Sequence, residues 1–172
     1  MAINYPNGTI TGAVLQVQSG ASGSFTSHSS NVFGYAPCDV GITPQSTSNK
    51  ILIIATGLYW CNTANEQTLK LMRYDNSSWS NITDGEATIN YANRGGPFGN
   101  HQTGSGGWEA QGYALIGYDS PNTTSVRYYR AWGQTREGSA VSNRWYWNRG
   151  WQTSGNDSFS GMNHIIAMEI EG

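Results

Sequence analysis

The segment Arg144-Trp-Tyr-Trp-Asn-Arg-Gly-Trp151 sets three tryptophans and a tyrosine beside two arginines. Aromatic faces with Arg, Asn, Gln and Ser neighbours can stack on sugar rings and hydrogen-bond their hydroxyls. On a strand, Trp145 and Trp147 share one face and Tyr146 takes the other. Trp145, Trp147, Arg149 and Trp151 are therefore candidate ligand-binding residues. Trp108 and His101 join them from the Gly/Pro-rich stretch Tyr91 to Trp108, which reads as long exposed loop of the kind that often carries function. The competing role for these tryptophans is filling the core and a subunit interface. Trp79, in a loop-like segment, poses the same question. Tyr128, Tyr129 and Arg130 form a second mixed aromatic and basic group.

Other chemistries lack their residues. Neither lysine follows a glycine, so there is no phosphate-binding glycine loop. Gly20-Ala-Ser-Gly23 has the wrong spacing for a nucleophile elbow. His28, His101 and His164 are too far apart to make a metal-ligand pair in sequence. Asp119, Asp157, Glu109 and Glu137 show no sign of the paired carboxylates of a glycosidase, and Asp119 reads as a turn cap. Asp75, Asn76, Asp84 and Glu86 lack calcium-loop spacing. Cys38 and Cys61 fit neither a zinc nor a haem motif and read as small buried hydrophobes. No catalytic residue, cofactor or metal is expected, and the chain reads as a non-enzyme.

Composition fixes the kind of scaffold that must hold these residues. The chain has 172 residues, room for one domain with a sizeable core. Charged residues make up 12%, about half the usual share, while Gly, Ser, Asn and Thr together supply 72 of the 172. Those small residues favour turns and extended chain over helix. Seven Trp and ten Tyr set the chain apart from a disordered polar tract. A net charge of −2 argues against nucleic acid as a partner, despite several arginines between Arg127 and Arg149. No apolar run approaches membrane-spanning length, and Met1-Ala-Ile-Asn-Tyr-Pro lacks the basic and apolar regions of a signal peptide.

Period-two alternation marks the strands. Ala13 to Gln18 is the first, followed by a Ser/Gly-rich loop from Ser19 to Asn31. Val32 to Val40 is a second, broken by Pro37. Lys50 to Cys61 is the strongest, and its unbroken apolar character predicts burial on both faces. Leu69 to Tyr74 alternates, and Asp75 to Asn81 reads as turn. Gly112 to Tyr118 and Ser125 to Trp132 flank the turn Asp119-Ser-Pro-Asn-Thr-Thr124, so 112–132 reads as a hairpin. Arg144 to Trp147 and His164 to Ile170 complete eight or nine strands. The pattern predicts an all-β antiparallel sandwich, with residues 1–12 a short N-terminal extension and 13–172 one domain.

Three stretches, Ile42-Thr-Pro-Gln-Ser-Thr-Ser-Asn-Lys-Ile-Leu-Ile53, Tyr118-Asp-Ser-Pro-Asn-Thr-Thr-Ser125 and Ile165-Ile-Ala-Met-Glu-Ile170, give the chain its resemblance. It resembles marine bacteriophage virion-surface proteins, in particular the fibre and spike head modules of cyanophages. The resemblance implies a jelly roll similar in shape to tumour-necrosis-factor and C1q heads, packed as a homotrimer, and brings no catalytic residues. It implies attachment to a host surface receptor or glycan from the virion surface, with residues 1–12 anchoring to another virion protein. Capsid decoration or tail assembly is the alternative, and a polysaccharide depolymerase a more distant one. Ile51 to Ile54 and Ile165 to Ile170 are expected to form the core and the trimer axis.

Overall fold

The computed structural model describes residues 3–5, 8–10, 12–29, 33–61, 67–82, 111–135, 144–148 and 161–172. Every regular element among them is a strand. In chain order these are β1 (Ile3–Tyr5), β2 (Gly8–Ile10), β3 (Val14–Ser22), β4 (Thr26–Ser29), β5 (Gly34–Tyr35), β6 (Val40–Ile42) and β7 (Lys50–Cys61). They continue with β8 (Gln67–Tyr74), β9 (Trp79–Asn81), β10 (Gln111–Asp119), β11 (Arg127–Thr135), β12 (Arg144–Trp147) and β13 (Asn163–Ile170). All pairings are antiparallel, and two sheets pack face to face as a sandwich.

The twelve-residue β7 organises the first sheet. One edge pairs with β10 along nearly its whole length. The other edge is shared: β13 pairs with residues 50–56, and β12 with residues 59–61. Beyond them, β3 pairs with β13 and β4 with β12. Asn148 joins the two halves. Its N–H donates to the Leu58 carbonyl and its own carbonyl accepts from Gly161 N–H. Its φ of 61° is a left-handed conformation that asparagine tolerates. Its side-chain Nδ2 donates to the carbonyls of Ser22 and Ser24, where the chain passes from β3 toward β4. The second sheet centres on β11, with β8 along one edge, β5 and β6 along the other, and β9 outside β8.

Alternation decides what is buried. Ile51, Ile53 and Ala55 of β7, Leu115 of β10, and Ile165 and Ala167 of β13 point inward. They meet Leu69 and Leu71 of β8 and Tyr129 and Ala131 of β11 in one continuous core. Leu52 is also buried, on the opposite face of β7, against Ile170, Ile54 and Met168. Burial on both faces is therefore real for Ile51 to Ile53, while Thr56 to Leu58 are only half-buried.

Several expectations change. The segment 112–132 is not a hairpin. β10 pairs with β7 in the first sheet and β11 with β8 in the second, so the 120–126 connection carries the chain across the sandwich. Asp119, read as the cap of that turn, has partners in the core. It is fully buried, paired with Arg73 Nη1 at 2.9 Å and accepting from the Tyr129 hydroxyl at 2.9 Å. Burial, then the Asp119 charge, push the Tyr129 phenol far above its ordinary pKa. The stretch from Ser19 is not all loop: Ser19–Ser22 continue β3 and Thr26–Ser29 form β4, because pairing with β13 and β12 satisfies a backbone whose side chains carry no apolar signal. The turn after Asp75 is shorter than expected. Asp75 accepts from the N–H groups of Ser77 and Ser78, and Trp79 already belongs to β9. The first dozen residues contain β1 and β2, which pair with each other.

Candidate functional site

The predicted aromatic segment divides. Trp147 is 0% exposed, with its ring edge-on to Tyr113 at 5.3 Å between centroids. A ring with no exposed surface cannot stack on a ligand arriving from solvent, so Trp147 leaves the candidate ligand set and joins the core. Its neighbour Tyr113 donates its hydroxyl to Asn163 Oδ1 at 2.6 Å, and Tyr59 packs 6.2 Å from Tyr113. Trp145 stands in β12 with its backbone opposite His28 and Cys61. Arg149, Trp151, Trp108 and His101 lie outside the described residues, as does the long stretch from Tyr91 to Trp108.

The structure assembles a different aromatic site, on the outer face of the second sheet. Register brings its strands together, and long side chains close the remaining gaps. Tyr35 of β5 stands opposite Trp132 of β11, Tyr128 of β11 opposite Tyr74 of β8, and Tyr74 opposite Trp79 of β9. Ring centroids step from Tyr35 to Trp132 in 6.2 Å, from Trp132 to Trp79 in 5.7 Å, and from Trp79 to Tyr74 in 5.3 Å. His28 meets the far side of Tyr35 edge-on at 5.5 Å. Burial of its ring, partly opposed by a hydrogen bond to the Tyr35 carbonyl, holds the His28 pKa below its ordinary value.

Arg130 crosses this ladder. Its guanidinium carbon lies 4.8 Å from the Tyr35 ring centroid and 5.1 Å from that of Trp79. Such stacking is favourable because the ring face is electronegative. Arg130 Nη2 also donates to Asp39 Oδ2 at 2.5 Å, which fixes the direction of the guanidinium plane. Asp39 remains 42% exposed on its side chain, Tyr35 is 44% exposed and Tyr128 38%. Tyr128 lies over Gly41 of β6, where an added Cβ would fall 2.8 Å from the ring, so glycine lets the ring approach the strand. Lys70, on the same face, holds its ammonium 3.9 Å from the Phe33 ring centroid, and burial lowers its pKa. Arg130 and Tyr128 were visible in the sequence as part of a mixed group. Tyr35, Tyr74 and Trp132 were not.

The outer face of the first sheet has the opposite character. Across β3, β13, β7 and β10, one row reads Val17, Met168, Leu52, Tyr118 and the next Ser19, Ile166, Ile54, Ile116. Val17 is 54% exposed and Ile116 45%. Among the described outward residues of these strands the ammonium of Lys50 stacks 5.4 Å from Tyr118, and there is no carboxylate. Leu52 is buried and Ile54, Ile166, Met168 and Tyr118 are half-buried between the exposed Val17 and Ile116, so the face is largely apolar across four strands. No group of His, Cys, Asp and Glu able to hold a metal ion occurs among the described residues.

No protein-family model matches the chain, and no curated protein matches it.

Proposed function

We propose that this chain is a non-enzymatic recognition head on the surface of a bacteriophage virion. It assembles as a homotrimer and attaches the particle to a receptor or glycan on its host. The observation that carries the reading is the contrast between the two outer faces of the sandwich. One is aliphatic and lacks carboxylates among its described residues. The other bears a ladder of aromatic rings crossed by an Arg–Asp pair. A subunit with one face suited to burial against copies of itself and another suited to polar ligands is what an attachment head requires. Aliphatic burial between copies is not weakened by salt, whereas surface ion pairs contribute little when screened. Weak binding at each head, repeated on each copy, gives firm attachment through avidity.

The resemblance in the three turn-and-strand stretches supports the virion setting, with residues 1–12 holding the head to another virion protein. The test is antibody labelling of intact particles of the phage that encodes the chain. Gold at fibre or spike tips is expected. Absence of the chain from purified particles overturns the reading. A regular array over the capsid replaces attachment with decoration.

A further inference from the structure

We infer that the outer face of the second sheet is a glycan-binding platform, with Tyr35, Trp132, Trp79 and Tyr128 as the stacking surface and the Arg130–Asp39 pair as the hydroxyl-reading group, for a neutral sugar chain. The inference deepens the attachment reading and rests on it for its biological setting, although binding itself needs no particle.

Three observations converge. Tyr35, Trp132 and Trp79, from β5, β11 and β9, make one contiguous run of rings, each step under 6.5 Å between centroids, and Tyr128 stands exposed on the same face of β11. A pyranose presents a patch of C–H groups on one face, which packs on such rings, and hydroxyls around its rim, which need donors and acceptors. The rim chemistry is present. Arg130 Nη2 is committed to Asp39 Oδ2 and Arg130 Nε is buried, which leaves Asp39 Oδ1 as an acceptor and Arg130 Nη1 as a donor. The stacking on Tyr35 and Trp79 holds that fork against the rings.

The occupant follows from this mixture. A purely apolar partner would strip water from Arg130 and Asp39 without replacing their hydrogen bonds, which is costly. A polyanion would meet the Asp39 carboxylate held against Arg130, the cation stacked on the ladder. A neutral polyol satisfies the rings and the ion pair together. Pre-organisation of the charged pair lowers the ordering cost of binding.

The experiment is a glycan array probed with the purified full chain at its native oligomeric state. It carries neutral and acidic glycans and is read at low and high salt. The variants are Tyr35→Ala and Asp39→Asn, both at exposed positions, each checked for an unchanged melting temperature. Binding to neutral glycans that persists at high salt and weakens about tenfold in each variant is expected. Three results each overturn the platform: no glycan bound, binding unchanged in both variants, or binding confined to acidic glycans and lost at high salt. None of them bears on whether the chain sits on a virion, which antibody labelling decides separately.

Discussion

Trp132 of β11 and Tyr35 of β5 stand opposite each other on the outer side of the sandwich, their ring centroids 6.2 Å apart. They are far apart in sequence, and neither lies in the tryptophan-rich segment at 144–151. Their meeting is set by the backbone register of the second sheet, which also delivers Arg130 and Trp79 to the same place. The core below them yields predictions that do not depend on the ligand.

Arg73 and Tyr129 together neutralise and hydrogen-bond the fully buried Asp119. Arg73→Ala removes the cation that pairs with that buried carboxylate and is expected to lower stability by about 3–5 kcal/mol. Tyr129→Phe removes one hydrogen bond and is expected to cost about 1–3 kcal/mol. Urea unfolding followed by tryptophan fluorescence measures both. Equal, near-zero effects would show that Asp119 is not held as described.

Glu169 makes the fold sensitive to acid. Burial raises its pKa, but hydrogen bonds from Asn49 Nδ2 at 2.7 Å, Gln16 Nε2 at 2.6 Å and the Gln45 N–H at 2.7 Å outweigh it and hold the pKa below its ordinary 4.5. A lowered carboxylate pKa contributes stability that is complete above the unfolded value and lost as pH falls through the folded one. The melting temperature should therefore fall steeply below about pH 4. Glu169→Gln should be less stable at pH 7 and respond less to acid. Parallel pH profiles for the two proteins would contradict this.

Cys38 is buried, and burial, with the neighbouring Asp39 charge adding to it, pushes its thiol up to about 11. Thiolate is the reactive form, so Cys38 should resist alkylation in the native protein at pH 8 and react on unfolding. Peptide mapping after iodoacetamide treatment reads this residue directly. Rapid native labelling of Cys38 would show that this part of the core opens readily.

The sequence makes single strands legible more readily than their partners. The apolar run from Lys50 to Cys61 matches β7 residue for residue, because a long buried strand has no other way to satisfy its side chains. The turn after Asp119 is equally plain, but turn residues set a reversal and not the sheet that the returning strand joins. Tyr129 and Ala131 alternate with Tyr128 and Arg130 whether β11 pairs with β10 or with β8, so the hairpin and the crossing look the same in sequence. Alternation places Trp145 and Trp147 on one face without saying which face is the core, and burial of Trp147 supplies the missing fact. The aromatic ladder was the least legible feature. Tyr35, Tyr74, Trp79 and Trp132 come from four strands, and only sheet pairing and the reach of their side chains bring them together.

The central claim is self-association through the aliphatic face of the first sheet, and light scattering of the purified chain tests it most directly. The expected mass is three times the 18.7 kDa of one chain, falling to a single chain in the double variant Val17→Glu with Ile116→Glu. Both positions are exposed in the subunit, so their substitution leaves its core intact. A native mass of one chain at micromolar concentration, or a trimer indifferent to both glutamates, would contradict the account.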